Sequence, residues 1–190
     1  MVNQIRFLFL AGLVAGLLPF AQGLGQAPAS QPPKTKDAKI QNAMSAGPAA
    51  IAKDPTIMDW SSSPGGRMVE LRKGTNGWTC LPDMPDTPGN DPMCMDKNAM
   101  QWAEAWMGKK DPKLAAMGIG YMLQGGATAD NDDPFAKKPK AGKDWLREPP
   151  HMMIFGVKID PGIYTSQPNT TRPWVMFKGT PYEHLMAPVK

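Results

Sequence analysis

The chain has 190 residues, with 21 Lys and Arg against 17 Asp and Glu and a formal net charge of +4 at pH 7. This excess is too mild to indicate a nucleic-acid-binding protein, which normally presents a concentrated basic face. The length fits one domain of ordinary size.

The N-terminal residues have the pattern of a secretion signal. Arg6 follows a short polar start and precedes an apolar run from Phe7 to Leu18, which Pro19 interrupts. A helix needs roughly 20 apolar residues to cross a bilayer, so this run is too short to span one. Small residues that suit a signal peptidase follow it. We therefore predict a signal peptide over residues 1–27, cleaved after Gly23 or Ala27, with an uncleaved anchor as the alternative.

The pattern predicts a protein that works in the periplasm or outside the cell. No later stretch is apolar for long enough to span a membrane, so we expect no integral membrane segment after cleavage. Residues 28–39 are rich in Pro, Ser, Ala, Gln and Lys without apolar periodicity, which is typical of a flexible linker. Residues 40–190 are then predicted to form a single globular domain, beginning with a short helix near Ala49 to Lys53 after Pro48.

The chain has two cysteines, Cys80 and Cys94. Disulfides persist in exported proteins, so we predict that the two are bonded. The bond would close a loop containing Pro82, Pro85, Pro88 and Pro92. A disulfide that closes a loop of this size stabilises the folded state by on the order of 3 kcal/mol. Free thiols or a metal pair are the alternatives, but the spacing is not that of a CxxC or haem-binding motif.

A β-hairpin is predicted just before the first cysteine. Arg67 to Leu71 alternates apolar and polar residues, and Trp78 to Leu81 follows a turn that contains Asn76 and Gly77. The next element is a helix from Asp96 to Met107, in which Ala99, Ala103 and Trp106 share one face. Asp96 suits its N-cap and Gly108 its end.

Three further runs are typical of strands: Met117 to Leu123, Met152 to Val157 and Trp174 to Phe177. The polar stretch 127–150 is too long for an ordinary connection, so it is functional, mobile or contains a short helix near Trp145. Together these elements predict an α+β fold. It would be a small, mainly antiparallel sheet of four to five strands packed by one or two helices, with long Pro/Gly-rich loops.

His151 and His184 are the only histidines. A small hydrolase would have to use one or both with Glu183, since imidazole and carboxylate are the usual acid and base. The commoner role of such histidines is structural, through hydrogen bonds in the core. The chain contains no GxSxG, HExxH, Walker or dinucleotide-binding motif.

Methionine is frequent, with 15 residues in the chain. His151, Met152 and Met153 are adjacent and could bind copper or another soft metal, because thioether and imidazole are ligands that Cu(I) accepts. The alternative is that methionine fills gaps in the core. Trp78, beside the predicted disulfide loop, is a candidate ligand-binding residue because exposed indole rings stack on sugars and peptides.

The strings GTNGWTCLPD, GNDPMC, GIGYMLQGG and GTPYEHLM are spread over most of the chain after the signal region. They resemble those of a group of small secreted bacterial proteins that has no assigned activity. The resemblance implies a bacterial exported protein and points to no catalytic residue or cofactor. The leading hypothesis is a non-catalytic binding module that presents the Cys80 to Cys94 loop and the 127–150 connection; soft-metal binding and hydrolysis are the alternatives.

Overall fold

The computed structural model describes residues 32–61 and 67–189. The predicted signal peptide, residues 1–27, lies outside them, as does the start of the predicted linker. The helices are α1 (Lys36–Met44), α2 (Ala49–Ala52) and α3 (Lys97–Met107). The strands are β1 (Thr56–Asp59), β2 (Val69–Arg72), β3 (Thr79–Leu81), β4 (Met93–Met95), β5 (Gly118–Met122), β6 (Gly126–Thr128), β7 (Leu146–Glu148), β8 (His151–Phe155), β9 (Trp174–Met176) and β10 (His184–Pro188).

Eight strands form one sheet in the order β2-β1-β3-β4-β5-β8-β10-β9, and β6 pairs with β7 in a small second sheet. Neighbours are antiparallel except β1 and β3, which are parallel. The predicted α+β class with few helices and a mainly antiparallel sheet is confirmed. The prediction of four to five strands is too low, because several strands have only three residues, too few to show alternation.

The two strands predicted for the hairpin are present as β2 and β3, but their predicted pairing is wrong, because β1 lies between them. The turn that was expected to close the hairpin packs instead against the residues before β1. Gly74 lies so close to the Pro55 backbone that a Cβ would collide with it, and the Thr75 N–H donates to the Asp54 carboxylate at 3.1 Å. The turn therefore carries the chain past β1 to its far side.

The two faces of the sheet are covered by different helices. Strand alternation sends Cys80 to the side of α1, where it packs with Ala43 and Ile57. Leu81 and Met95 point to the other side, beneath α3. A Cβ on Gly118 would lie 2.5 Å from the Ala99 backbone nitrogen, so glycine in β5 lets α3 lie directly on the sheet.

The predicted helix α3 is confirmed with its caps. One Asp96 oxygen accepts from the Ala99 N–H and the other from the Ile119 N–H, both at 2.8 Å, so Asp96 joins the helix to β5. Gly108 is the C-cap. The expected short helix after Pro48 is α2, whereas the region near Trp145 forms strand β7 rather than a helix.

Helix α1 begins at Lys36, inside the stretch 28–39 that the composition assigns to a linker. The Thr35 hydroxyl accepts a hydrogen bond from the Ala38 N–H at 3.2 Å and caps the helix. Lys39 forms an ion pair with Asp59 at 2.6 Å. Capping and contacts with the sheet thus order residues that lack a local helix signal.

The predicted disulfide is confirmed. Cys80 and Cys94 face each other across β3 and β4, and both are fully buried. A disulfide is compatible with a location outside the cytoplasm. Among the described residues, no helix is both long enough and apolar enough to span a membrane.

Candidate functional site

The two histidines lie on the same face of the sheet, the one that α3 covers. His151 begins β8 and His184 begins β10, and these strands are antiparallel neighbours. His184 therefore pairs with Phe155 at one end, while His151 pairs with Pro188 at the other. The exposed fractions are 0% for His151 and 1% for His184, so both imidazoles belong to the interior.

Both rings are held in the same way, by a carbonyl two residues earlier. Nδ1 of His151 lies 2.7 Å from the Pro149 oxygen, and Nδ1 of His184 lies 2.9 Å from the Tyr182 oxygen. A carbonyl oxygen can only accept, so in each ring Nδ1 carries the proton. Nε2 of each ring is buried without a hydrogen-bond partner among the described residues.

Burial decides the charge of these rings. It lowers the pKa of His151 to about 4, although the bond to the Pro149 carbonyl acts in the opposite direction. It likewise lowers the pKa of His184 to about 4, and the neighbouring His151 adds to this effect. Both imidazoles are therefore neutral at pH 7 and present an Nε2 lone pair to the interior.

The side chains of Glu183 and His184 lie in different surroundings. The Glu183 carboxylate accepts from the Gly179 N–H at 2.7 Å, in the turn before β10. The ring of His184 packs in the core against Trp102, Phe155 and Phe177, with centroids 4.9 to 5.6 Å apart. The residues named for a hydrolase thus do not converge on one open centre.

Methionines surround the histidines on this face. Met153 shares it with His151, whereas the alternation of β8 turns Met152 to the opposite face. Met122, which the local sequence does not single out, pairs directly with His151 from β5. The buried methionines of this core are Met95, Met122, Met153, Met176 and Met186. Only sheet register could reveal the pairing of Met122, since 29 positions separate it from His151.

A cluster of buried carboxyls, missed in the sequence, joins the disulfide loop to the small sheet. Asp83 and Asp91 are each 3% exposed and Glu148 is 8% exposed. The Asp91 N–H donates to Asp83 at 2.9 Å, and the Thr87 hydroxyl donates to Asp91 at 2.6 Å. Asp83 Oδ2 and Glu148 Oε1 are buried without a hydrogen-bond partner among the described residues.

Burial raises the pKa of Glu148 to about 7, although a hydrogen bond from Thr128 acts against it. Burial also raises the pKa of Asp83, and the carboxyl of Asp91 beside it adds to the increase. These two carboxyls retain protons at pH values where exposed carboxyls are ionised. The cluster therefore holds the loop in place partly through neutral acids.

The same contact joins two regions far apart in the chain. The Arg147 guanidinium donates to the Pro88 carbonyl at 3.1 Å, and a Cβ at Gly89 would lie 3.2 Å from the Ala127 side chain. The Pro-rich loop and the 127–150 connection are thus in contact with each other. Their positions in the sequence carry no sign of this contact.

Trp78 is half-buried rather than fully exposed. Its ring packs against Tyr121 with centroids 5.6 Å apart, beside the disulfide. Trp78 also borders a groove of about 600 Å³ between the first strands and α3, although its ring packs in the cluster on the α1 side of the sheet. The ligand-binding role of Trp78 stays a prediction.

Within residues 32–61 and 67–189, no three His, Cys, Asp or Glu side chains lie together as metal ligands. Comparison of the chain with protein families, curated proteins and solved structures found no match.

Proposed function

We propose that this protein is an exported binding module without catalytic activity, and that it binds an extended peptide segment in the groove beside α3. The observation that carries the proposal is the groove itself, about 600 Å³ in volume and lined in part by Met58, Met68 and Met100. Export is inferred from the N-terminal pattern and is compatible with the buried disulfide.

The apolar part of the lining comes from methionines on three elements or their flanks. Met58 lies in β1, Met68 directly precedes β2, and Met100 lies in α3. All three are partly buried and pack against the main core. Methionine side chains adapt to different apolar partners, so such a surface favours side chains of varied shape over one rigid ligand.

The edge of the sheet beside the groove favours an extended backbone as the partner. Among the described residues, β2 pairs only with β1 and forms one end of the eight-stranded sheet. Val69 on this edge is 58% exposed. An added strand would pair with the outer N–H and C=O groups of β2, which no described strand uses, and its side chains would reach the methionine-lined groove.

The charged groups of the groove support binding rather than acid-base catalysis. Lys97 and Glu104 contribute to the lining, and both are exposed residues of α3. The two histidines lie elsewhere, buried in the core. A hydrolase that used them would need a substrate to enter the packed interior.

The experiment uses a fluorescein-labelled hexapeptide of alternating valine and threonine, with fluorescence polarisation as the readout. Met100→Lys should weaken binding about tenfold or more, since burying one apolar side chain is worth roughly 1.5–3 kcal/mol. Met117→Lys is the matched control, because Met117 is 52% exposed and lies outside the groove lining.

A second peptide tests the backbone contacts. The same sequence, N-methylated at alternate residues to block one edge, should bind less tightly because it cannot pair with β2. Equal affinity of the parent protein for both peptides would contradict strand addition. Equal affinity of Met100→Lys and parent for the first peptide would contradict binding in the groove.

A further inference from the structure

The two histidines occupy matched positions, which makes their differences informative. β8 begins with His-Met-Met and β10 with His-Leu-Met, so each histidine is followed two positions later by a methionine on the same face. Met153 and Met186 pair across the two antiparallel strands. Each histidine also pairs with a methionine on its outer neighbouring strand, Met122 for His151 and Met176 for His184.

The surroundings of the two rings differ. The His184 ring has aromatic rings on several sides, with centroid distances of 5.1 Å to Trp102, 4.9 Å to Phe155 and 5.6 Å to Phe177. Among the described residues, no such ring contact is found for His151. Aromatic packing therefore surrounds His184 and, among the described residues, not His151.

Nε2 of His151 has the protonation state that a metal-binding histidine needs. Its Nδ1–H donates to the Pro149 carbonyl at 2.7 Å, which fixes the tautomer and leaves a lone pair on Nε2. Nε2 is buried and has no hydrogen-bond partner within residues 32–61 and 67–189. A backbone carbonyl that holds the second ring nitrogen is the usual outer-shell arrangement of a metal-binding histidine.

We propose that Nε2 of His151 and the thioether sulfurs of Met122 and Met153 form a binding site for one Cu(I) ion. Met122 is the cross-strand partner of His151, and Met153 is the next residue of β8 on the same face. Imidazole and thioether are neutral ligands that suit Cu(I), whose single charge limits the cost of entering a buried site. Met152 takes no part, because it lies on the opposite face.

The experiment is a titration of the full disulfide-bonded protein with Cu(I), kept reduced anaerobically by ascorbate without thiols. Bicinchoninate competes for the ion and reports its free concentration. The parent protein should bind one Cu(I) per chain, and its melting temperature should rise with free Cu(I). Met122→Leu/Met153→Leu should bind at least about tenfold more weakly, since leucine keeps the volume but removes both sulfurs.

Met176→Leu is the matched control, because Met176 stands opposite His184 as Met122 stands opposite His151. It should bind Cu(I) as the parent does. His151→Leu should lose the site altogether. If His151→Leu does not fold, the two methionine variants decide, because both keep the histidine and the apolar volume.

Failure of the parent to bind Cu(I) would overturn the proposal. So would parent-like affinity in Met122→Leu/Met153→Leu, or an equal loss in Met176→Leu. Neither His151 nor its two methionines line the peptide groove, so these outcomes leave the peptide experiment unaffected.

Discussion

Burial acts in opposite directions on the two groups of interior polar residues. Beneath α3 it lowers the pKa of His151 and His184 to about 4. At the disulfide loop it raises the pKa of Glu148 to about 7 and raises that of Asp83. In both places the interior disfavours the charged form, so bases lose their protons and acids keep theirs.

The two regions differ in what surrounds them. The histidine region is closed by a helix, aromatic rings and methionines from strands throughout the large sheet. The carboxyl region is a contact between a Pro-rich loop and a two-stranded sheet, fixed at its base by Cys80 and Cys94. The first is stabilised mainly by apolar packing and the second by hydrogen bonds and a covalent link, so different changes should break them.

Trp102→Ala should have the largest effect, because it removes the side chain that closes the histidine region. Trp102 contacts Phe155, Tyr182 and His184 at centroid distances of 4.6, 6.0 and 5.1 Å. Removing a buried tryptophan costs about 3–5 kcal/mol of unfolding free energy. Urea unfolding followed by circular dichroism measures this loss; a loss below about 1 kcal/mol would show that Trp102 does not support the core.

Replacing both cysteines, as Cys80→Ala/Cys94→Ala, should break the carboxyl region at its base. The expected loss is about 2–4 kcal/mol, since the unfolded chain is no longer constrained. Hydrogen exchange should then rise most in the loop between the two positions and less beneath α3. Uniform acceleration over the whole sheet would contradict the separation of the two regions.

Glu148→Gln should change how the free energy of unfolding depends on pH, in the direction opposite to that expected for the histidines. Folded Glu148 keeps its proton up to about pH 7, whereas the unfolded group releases it near its usual pKa of 4.5. Its stabilising contribution is therefore complete at low pH and is lost as the pH rises from about 4.5 to about 7. The histidines act oppositely, since their contribution is lost as the pH falls from about 6.5 to about 4.

The variant lacks the carboxyl contribution, so its stability relative to the parent should rise with pH. The rise should approach about 1.4 kcal/mol per pH unit between pH 5 and 6.5 as an upper limit. Chemical unfolding at a series of pH values measures it, with the exposed Glu104→Gln as the control for loss of one carboxylate. A constant difference between variant and parent would show that Glu148 does not titrate in this range.

Local patterns were sufficient for α2, α3 with both caps, and the cores of β5, β8 and β9, because periodicity and capping act within one element. They were insufficient for β1 and β10. Thr56–Asp59 has four residues and His184–Pro188 includes a proline, so neither shows a strand pattern of its own. The hairpin failed for a related reason, since β1 enters between its two expected strands.

For the candidate sites, residue identity predicts some of the contacts, and the position of the residues in the folded chain determines the others. Cysteine identity and an exported context predict the Cys80–Cys94 disulfide, because these are properties of the chain itself. The pairing of Met122 with His151, the orientation of Met152 and the meeting of Glu148 with Asp91 arise only when strands and loops are placed side by side. Sheet register and burial are cooperative properties of the folded chain, and they decide which polar groups are neutral and which residues meet across the strands.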